Sequence, residues 1–265
     1  MRNNLKKYIF ILALFLGTLN PIYASDVKFV QITDVNFSSD KATSFDKVIQ
    51  DVNSIKKLDF VVFTGDNISV PNEENLKAFL KSVKKLNCPY YITLGNQDVA
   101  YHQKLSKKKY MKMVGSSKPF SHSSKPEYVF KKKGYVFIVT DGTKEYIPAP
   151  NGYYTEQELQ RLEKTLEKYK DKEVIILQHY PLIENLASPN LNTYNRKSYL
   201  ELLKKYPDVL AVVSGHYQYN QEELMNGIYH VISPSLSKQS QYKIIDIMES
   251  SNKSVIYTQL RTLNN

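Results

Sequence analysis

From residue 27 onward the chain alternates short apolar runs with amphipathic stretches, and this alternation restricts the fold most. VKFVQIT (27–33) reads as a strand. Phe45, Val48, Ile49, Val52 and Ile55 then recur at helical spacing. DFVVFT (59–64) is a second strand, and Leu76, Phe79, Leu80, Val83 and Leu86 mark a second helix with Asn72 as its N-cap. PYYITL (89–94) is a third strand. Strands separated by helices pair in parallel through right-handed crossovers.

The middle of the chain changes character. EYVFKKKGYVFIVTD reads as a hairpin turning at Lys133-Gly134. Thr155 and Glu158 form a capping box for a helix with Leu159, Leu162, Leu166 and Tyr169 on its apolar face. EVIILQ (173–178) and VLAVVS (209–214) are further strands, with a helix between them in RKSYLELLKKY. GIYHVIS, YKIIDIM and SVIYTQL read as antiparallel strands. With no linker or internal repeat, the expectation is one α/β domain, a mixed core of two sheets covered by helices.

Five strands end alike, in polar residues. They are followed by Asp34-Val35-Asn36, Gly65-Asp66-Asn67, Gly95-Asn96-Gln97-Asp98, Gln178-His179 and Gly215-His216-Tyr217-Gln218. The carboxyl ends of parallel strands share one edge, where ligands bind. Carboxylates, amides and imidazoles gathered there make an oxygen–nitrogen set suited to a divalent metal.

These five blocks, in this order, resemble the calcineurin-like metallophosphoesterases, whose pattern is D-x-H, G-D, G-N-H-D, H and G-H-x-H. The resemblance covers nearly all of residues 27–260. It implies an αββα sandwich of two mixed sheets packed face to face and flanked by helices, a dinuclear metal centre, and hydrolysis of phosphate mono- or diesters. It implies that Asp66 bridges the metals, that Asn96, His179 and His216 complete one site with it, and that Asp34, Asn36 and Gln218 belong to the other. Asn96, Gln97 and Asp98 fall at catalytic positions, Asp98 either capping the next helix or orienting Gln97. Ser69 stands where the purple-acid-phosphatase branch has a tyrosine.

Three histidines of the pattern are replaced, by Asn36, Gln97 and Gln218. Amide oxygens are harder, weaker ligands than imidazole nitrogens. The expectation is therefore one tight site for Fe, Mn or Zn and one weaker site preferring Mn, Mg or Ca. Glutamine donates a hydrogen bond but gives up no proton near neutral pH, so Gln97 implies weakened acid catalysis. The competing reading is a catalytically silent relative that binds a phosphorylated or anionic ligand.

The first residues read differently from the rest. Arg2, Lys6 and Lys7 precede an apolar run, Tyr8 to Leu19, and PIYA ends at Ala24. This is a secretory signal layout with cleavage after Ala24, leaving 25–265 as the phosphoesterase domain of a periplasmic or extracellular protein. An uncleaved anchor is disfavoured by the shortness of the run, and no membrane span is expected in the cleaved chain. Loss of three positive charges takes the net charge from +10 to +7. Its lysines, as in 107–109 and 131–133, read as solvated positions on helix faces and in a turn, with no motif for specific nucleic-acid binding. The expected partner is a phosphorylated small molecule or polymer. Cys88 is the sole cysteine and reads as a buried structural thiol. His102 and His122 read as solvated and His230 as structural. Tyr101, Tyr180, Tyr217 and Tyr219 either line a substrate cleft or serve as core and surface aromatics.

Overall fold

The computed structural model describes residues 27–100, 102, 105–116, 124–146, 149–250 and 253–263. The expected leader, Tyr101 and His122 lie outside them. In chain order the elements are β1 (Val27–Ile32), α1 (Ala42–Asn53), β2 (Phe60–Thr64), α2 (Glu73–Val83), β3 (Tyr90–Thr93), α3 (Lys107–Ser116), β4 (Tyr128–Lys132) and β5 (Tyr135–Val139). They continue with α4 (Glu156–Lys168), β6 (Val174–Leu177), α5 (Arg196–Leu203), β7 (Val209–Ser214), β8 (Gln221–Met225), β9 (Ile228–Ile232), α6 (Leu236–Gln239), β10 (Gln241–Ser250) and β11 (Lys253–Thr262).

Two mixed sheets result. The first has the order β11-β10-β1-β2-β3 and the second β4-β5-β6-β7-β9-β8. β1, β2 and β3 run parallel, as do β5, β6, β7 and β9; the first sheet is antiparallel on the β10–β11 side and the second at both edges, β4 and β8. Alternate side chains of one strand enter different layers. Phe29 and Phe60 face the second sheet, meeting Phe137 and Ile175, whereas Val30, Ile32, Val61 and Phe63 pack against Phe45 and Phe79 of the outer helices. Val136, Ile176 and Val212 pack outward onto Leu162, Leu166 and Tyr199. This is the αββα sandwich, and burial on both faces explains why the central strands are apolar throughout. Between the sheets Phe29 stacks on Phe60 at 4.8 Å and Phe60 meets Phe137 edge-on at 5.0 Å. Each such pair contributes about 0.5–1.5 kcal/mol beyond its buried area.

Local signals are realised as read. Lys133 and Gly134 both have positive φ, 46° and 88°, the backbone of a type I′ hairpin turn. Asn72 accepts from Asn75 N at 2.8 Å, and the Thr155–Glu158 capping box forms in both directions. Lys108 and Lys109 are exposed on α3 and lysines 131–133 lie at the β4–β5 hairpin, but Lys107, read as solvated, is half-buried because it pairs with buried Asp141 at 2.7 Å. Cys88 is half-buried rather than fully so, beside the outer core of the first sheet, and burial pushes its thiol up to about 11.

One pairing differs from expectation. β9, read as antiparallel, is antiparallel only to β8 and runs parallel to β7. β8 (QEELM) has no alternation of apolar residues to announce it, because its side chains are exposed or half-exposed at the sheet edge. No helix among the described residues is long and apolar enough to cross a membrane.

Candidate metal centre

The five polar strand ends converge on one rim, and backbone hydrogen bonds tie them to each other. Asp34 N donates to Gly65 O at 3.0 Å, and Asn36 N to Asp66 O at 2.9 Å. Gln97 N donates to Asp66 Oδ1 at 2.8 Å. Gly215 N donates to His179 O, and His216 N to Asp34 Oδ2, each at 3.0 Å. The loops after β1, β2, β3, β6 and β7 thus form one connected network across both sheets.

The backbone after β1, β2 and β7 is left-handed. Asp34, Asn36, Asp66, His216 and Gln218 have φ between 45° and 68°. Such conformations cost a non-glycine residue about 1 kcal/mol or more and persist only where surrounding structure enforces them. Gly65, at φ +90°, precedes Asp66, and a Cβ there would lie 2.5 Å from His179 Nδ1. At Gly215 a Cβ would fall 1.9 Å from Thr33 Oγ1. Glycine before Asp66 and before His216 is therefore a packing requirement of the rim.

The turns aim Asp66, His179 and His216 at one place. One ligand-capable atom from each lies within 4.8 Å of the others, and all three residues are buried. His179 Nδ1 contacts Thr64 O at 2.7 Å. A carbonyl only accepts, so Nδ1 carries the proton and Nε2 keeps its lone pair, 3.5 Å from Asp66 Oδ1. His216 Nδ1 lies 3.2 Å from His179 Nε2. Burial, reinforced by Asp34, holds the Asp66 carboxyl well above the usual carboxylate range. Burial, reinforced by His179, holds the His216 imidazole well below its ordinary value.

The residues fit a cation. Buried polar atoms are normally hydrogen-bonded, yet Asn36 Oδ1, Asn96 Oδ1 and His216 Nε2 are buried without a partner. All three are lone-pair donors on the rim that carries Asp66 and His179. A divalent ion satisfies them and reverses the cost of the buried carboxylates.

The half containing Asp34 is built differently. Asp34 Oδ2 is already committed to Thr33 Oγ1 at 2.7 Å and to His216 N. Gln218 turns its amide nitrogen, not its oxygen, toward Asp34 Oδ1 at 3.4 Å. Asn36 donates through Nδ2 to Asp34 O at 3.2 Å and to Ser237 Oγ at 3.1 Å, leaving Oδ1 free. Fewer open donors face this side than the Asp66 side.

Among the described residues the bonds of Asp98 run to the β2 and β3 loops and not to the Gln97 side chain. Its oxygens accept from Asn67 N, Ile68 N, Gly95 N and Asn67 Nδ2 at 2.8–3.1 Å. It therefore braces the β2 and β3 loops against each other. Burial and then the charge of Asp66 push its carboxyl up to about 7. Gln97 touches the centre through its backbone. His230 is buried in β9 away from the rim, and burial brings it down to about 4, in keeping with a structural role. His102 is exposed.

Sequence reasoning missed several supporting residues. Gln31 lies buried between the sheets, donating to Thr64 Oγ1 at 2.9 Å and Ser214 O at 2.7 Å and accepting from Ser233 Oγ at 2.6 Å. A lone glutamine inside an apolar strand was the available signal. Thr33 and Asn67, flanking Asp34 and Asp66, were also missed.

Three comparisons bear on this geometry. The family model described as calcineurin-like phosphoesterase matches residues 27–219. The chain is 30% identical over 227 residues to a probable glycerophosphodiester phosphodiesterase, GpdQ, of Arcobacter nitrofigilis, covering 79% of this chain and 78% of that protein. It is 24% identical over 234 residues to the 3′,5′-cyclic adenosine monophosphate phosphodiesterase CpdA of Vibrio vulnificus, covering 84% and 81%. In structure it is similar to a dimetal phosphatase from Danio rerio, with a TM-score of 0.64 at 14% identity over 88% of this chain and 95% of that one.

The raised Asp66 carboxyl has a measurable consequence. A proton held there without metal must leave when a cation binds, whereas the already neutral His216 has none to release. Adding Mn²⁺ in mildly acidic buffer is expected to release protons, seen by calorimetry in buffers of different ionisation enthalpy. Binding without buffer-dependent heat would contradict the assignment.

Proposed function

The chain belongs to the calcineurin-like phosphoesterase family, and from that premise we propose that it is a secreted hydrolase of phosphodiesters with weakened acid catalysis. The observation that carries this reading is the meeting of Asp66, His179 and His216 beside unpartnered donor atoms of Asn36 and Asn96. The diester class is supported by two relatives, named for a glycerophosphodiester and for cyclic AMP. Secretion is supported by the leader sequence of residues 1–24 alone.

In this proposal Asp66, Asn96, His179 and His216 hold the tighter cation, and Asp34 with Asn36 and Gln218 attends the weaker site. Bound divalent cations supply charge neutralisation at the phosphate and a lowered pKa for the attacking water. The protein's own part is orientation. Thr64 O fixes the His179 tautomer, Gln97 N fixes the Asp66 carboxylate, and Asp98 fixes the loops that carry Asp66 and Asn96. Gln97 lies where the family places an imidazole, and a glutamine there contributes a hydrogen bond without a transferable proton. The alkoxide leaving group then departs without a protein acid at that position.

The first test is hydrolysis of bis(p-nitrophenyl) phosphate by the protein supplied with Mn²⁺. Turnover is expected, lost on chelation and reduced below detection in Asp66→Ala. Phosphate-ester binding without turnover across Mn²⁺, Mg²⁺, Fe²⁺ and Zn²⁺ would support the silent alternative. The second test is Gln97→His. General acid catalysis is typically worth about a hundred- to ten-thousand-fold, and poor leaving groups need it most. The substitution is expected to raise the rate on alkyl diesters at least about tenfold more than on aryl diesters. Equal gains on both would remove the acid-catalysis account.

A further inference from the structure

Beside the metal centre two tyrosines are held out into solvent on rigid backbone. Tyr153 is 38% exposed and Tyr194 78% exposed, and their rings meet edge to face at 5.9 Å and 74°. Their loops are fixed. Tyr194 N donates to Gly152 O at 2.8 Å, Tyr153 N to Gly142 O at 2.9 Å, and Tyr154 N to Asn195 Oδ1 at 3.1 Å. The adjoining residues Tyr154 and Thr193 are buried. The exposure therefore belongs to the two side chains and not to a loosely held segment.

These loops lean directly on the proposed ligands. The backbone of Gly152 presses on the ring of Tyr180, where a Cβ would lie 2.3 Å from the ring. The same Tyr180 ring packs edge-on against His179 at 4.9 Å and against His216 at 5.0 Å. One aromatic layer thus separates the metal-facing imidazoles from the loop that bears Tyr153. On the other flank Tyr219, 39% exposed, stacks on Tyr217, which packs against His216.

An exposed tyrosine joins an apolar ring to a polar tip, which suits it to recognition at a wet edge. An edge-to-face pair leaves a ring face open to a planar group. Stacking on tyrosine is favourable for any base because every base has a π-face. A glycerol or choline substituent offers no such plane.

We propose that Tyr153 and Tyr194 form a stacking subsite for a planar base, which makes nucleotide-type phosphodiesters the substrate class of this centre. The inference rests on the phosphodiesterase reading, and its test separates the two. The ratio of kcat/KM for cyclic AMP to that for glycerophosphoethanolamine is measured for the Mn²⁺-supplied wild type, Tyr194→Ala, Tyr194→Phe and the Tyr153→Ala/Tyr194→Ala double variant. The ratio is expected to fall about tenfold in Tyr194→Ala and further in the double variant, through KM, and to hold in Tyr194→Phe, which keeps the ring. In parallel, calorimetry compares AMP with ribose 5-phosphate, which differ by the base. Tighter binding of AMP by wild type, lost in the double variant, supports the subsite even if no ester is turned over, in which case the hydrolase reading alone fails. Equal affinity for the two ligands, or a substrate ratio unmoved by removal of both rings, overturns the proposal. Unchanged thermal melting of the variants confirms that the loss is one of recognition.

Discussion

The centre depends on strand-end turns that hold one another in place, three of which, after β1, β2 and β7, are left-handed. None of these three is stable in that shape by its own chemistry, since each asks a residue with a side chain to adopt a backbone better suited to glycine. The cost is offset collectively. The carbonyl of Gly65 takes the N–H of Asp34, the carbonyl of Asp66 takes that of Asn36, and the carboxylate of Asp34 takes that of His216. Because the turns belong to both sheets, the network also fixes how the sheets meet. Gln31 adds a clamp inside the sandwich, bonded to Thr64 of its own sheet and Ser214 of the other. A polar group so placed is costly unless fully satisfied, and both ends of this amide are satisfied.

From that constraint follow the electrostatics. The turns bury Asp34, Asp66 and Asp98 together, with His179 and His216 beside them. Without a cation, burial and mutual repulsion push Asp66 and Asp98 toward their protonated forms. A buried carboxylate cluster is therefore a reservoir of unfavourable charge that a divalent ion relieves. The amide replacements leave the two sides unevenly furnished. On the Asp66 side an acid and two imidazoles remain, whereas on the Asp34 side Gln218 presents a donor where a ligand would need an acceptor. The physical picture is a centre with more open lone pairs on the Asp66 side than on the Asp34 side, and with a glutamine at position 97.

Much of this was legible in the chain. The parallel core followed from apolar runs separated by helical periodicity, because burial on both faces leaves no polar alternation. The hairpin at Lys133-Gly134 and the caps at Asn72 and Thr155 are local events, set by a few neighbouring residues. The five strand ends were legible because parallel topology converts sequence position into a shared edge. The rest depended on tertiary context. β8 sees solvent, so nothing in QEELM distinguishes it from a loop. The parallel pairing of β9 with β7 is set by which strand reaches the open edge of β7, not by either sequence. Asp98 was singled out through its place in the family pattern, and only the fold shows its oxygens turned toward Asn67 and Gly95. Tyr153 and Tyr194 lay in a polar stretch with no periodicity to show that their backbones would be pinned and their rings left outside.

The most direct test of the account is anomalous X-ray diffraction at the manganese edge from crystals of the Mn²⁺-soaked protein. The account predicts a strong peak enclosed by Asp66, Asn96, His179 and His216, with a weaker one on the Asp34 side. Manganese bound elsewhere on the surface, with the Asp66 and His216 side chains unengaged, would contradict it.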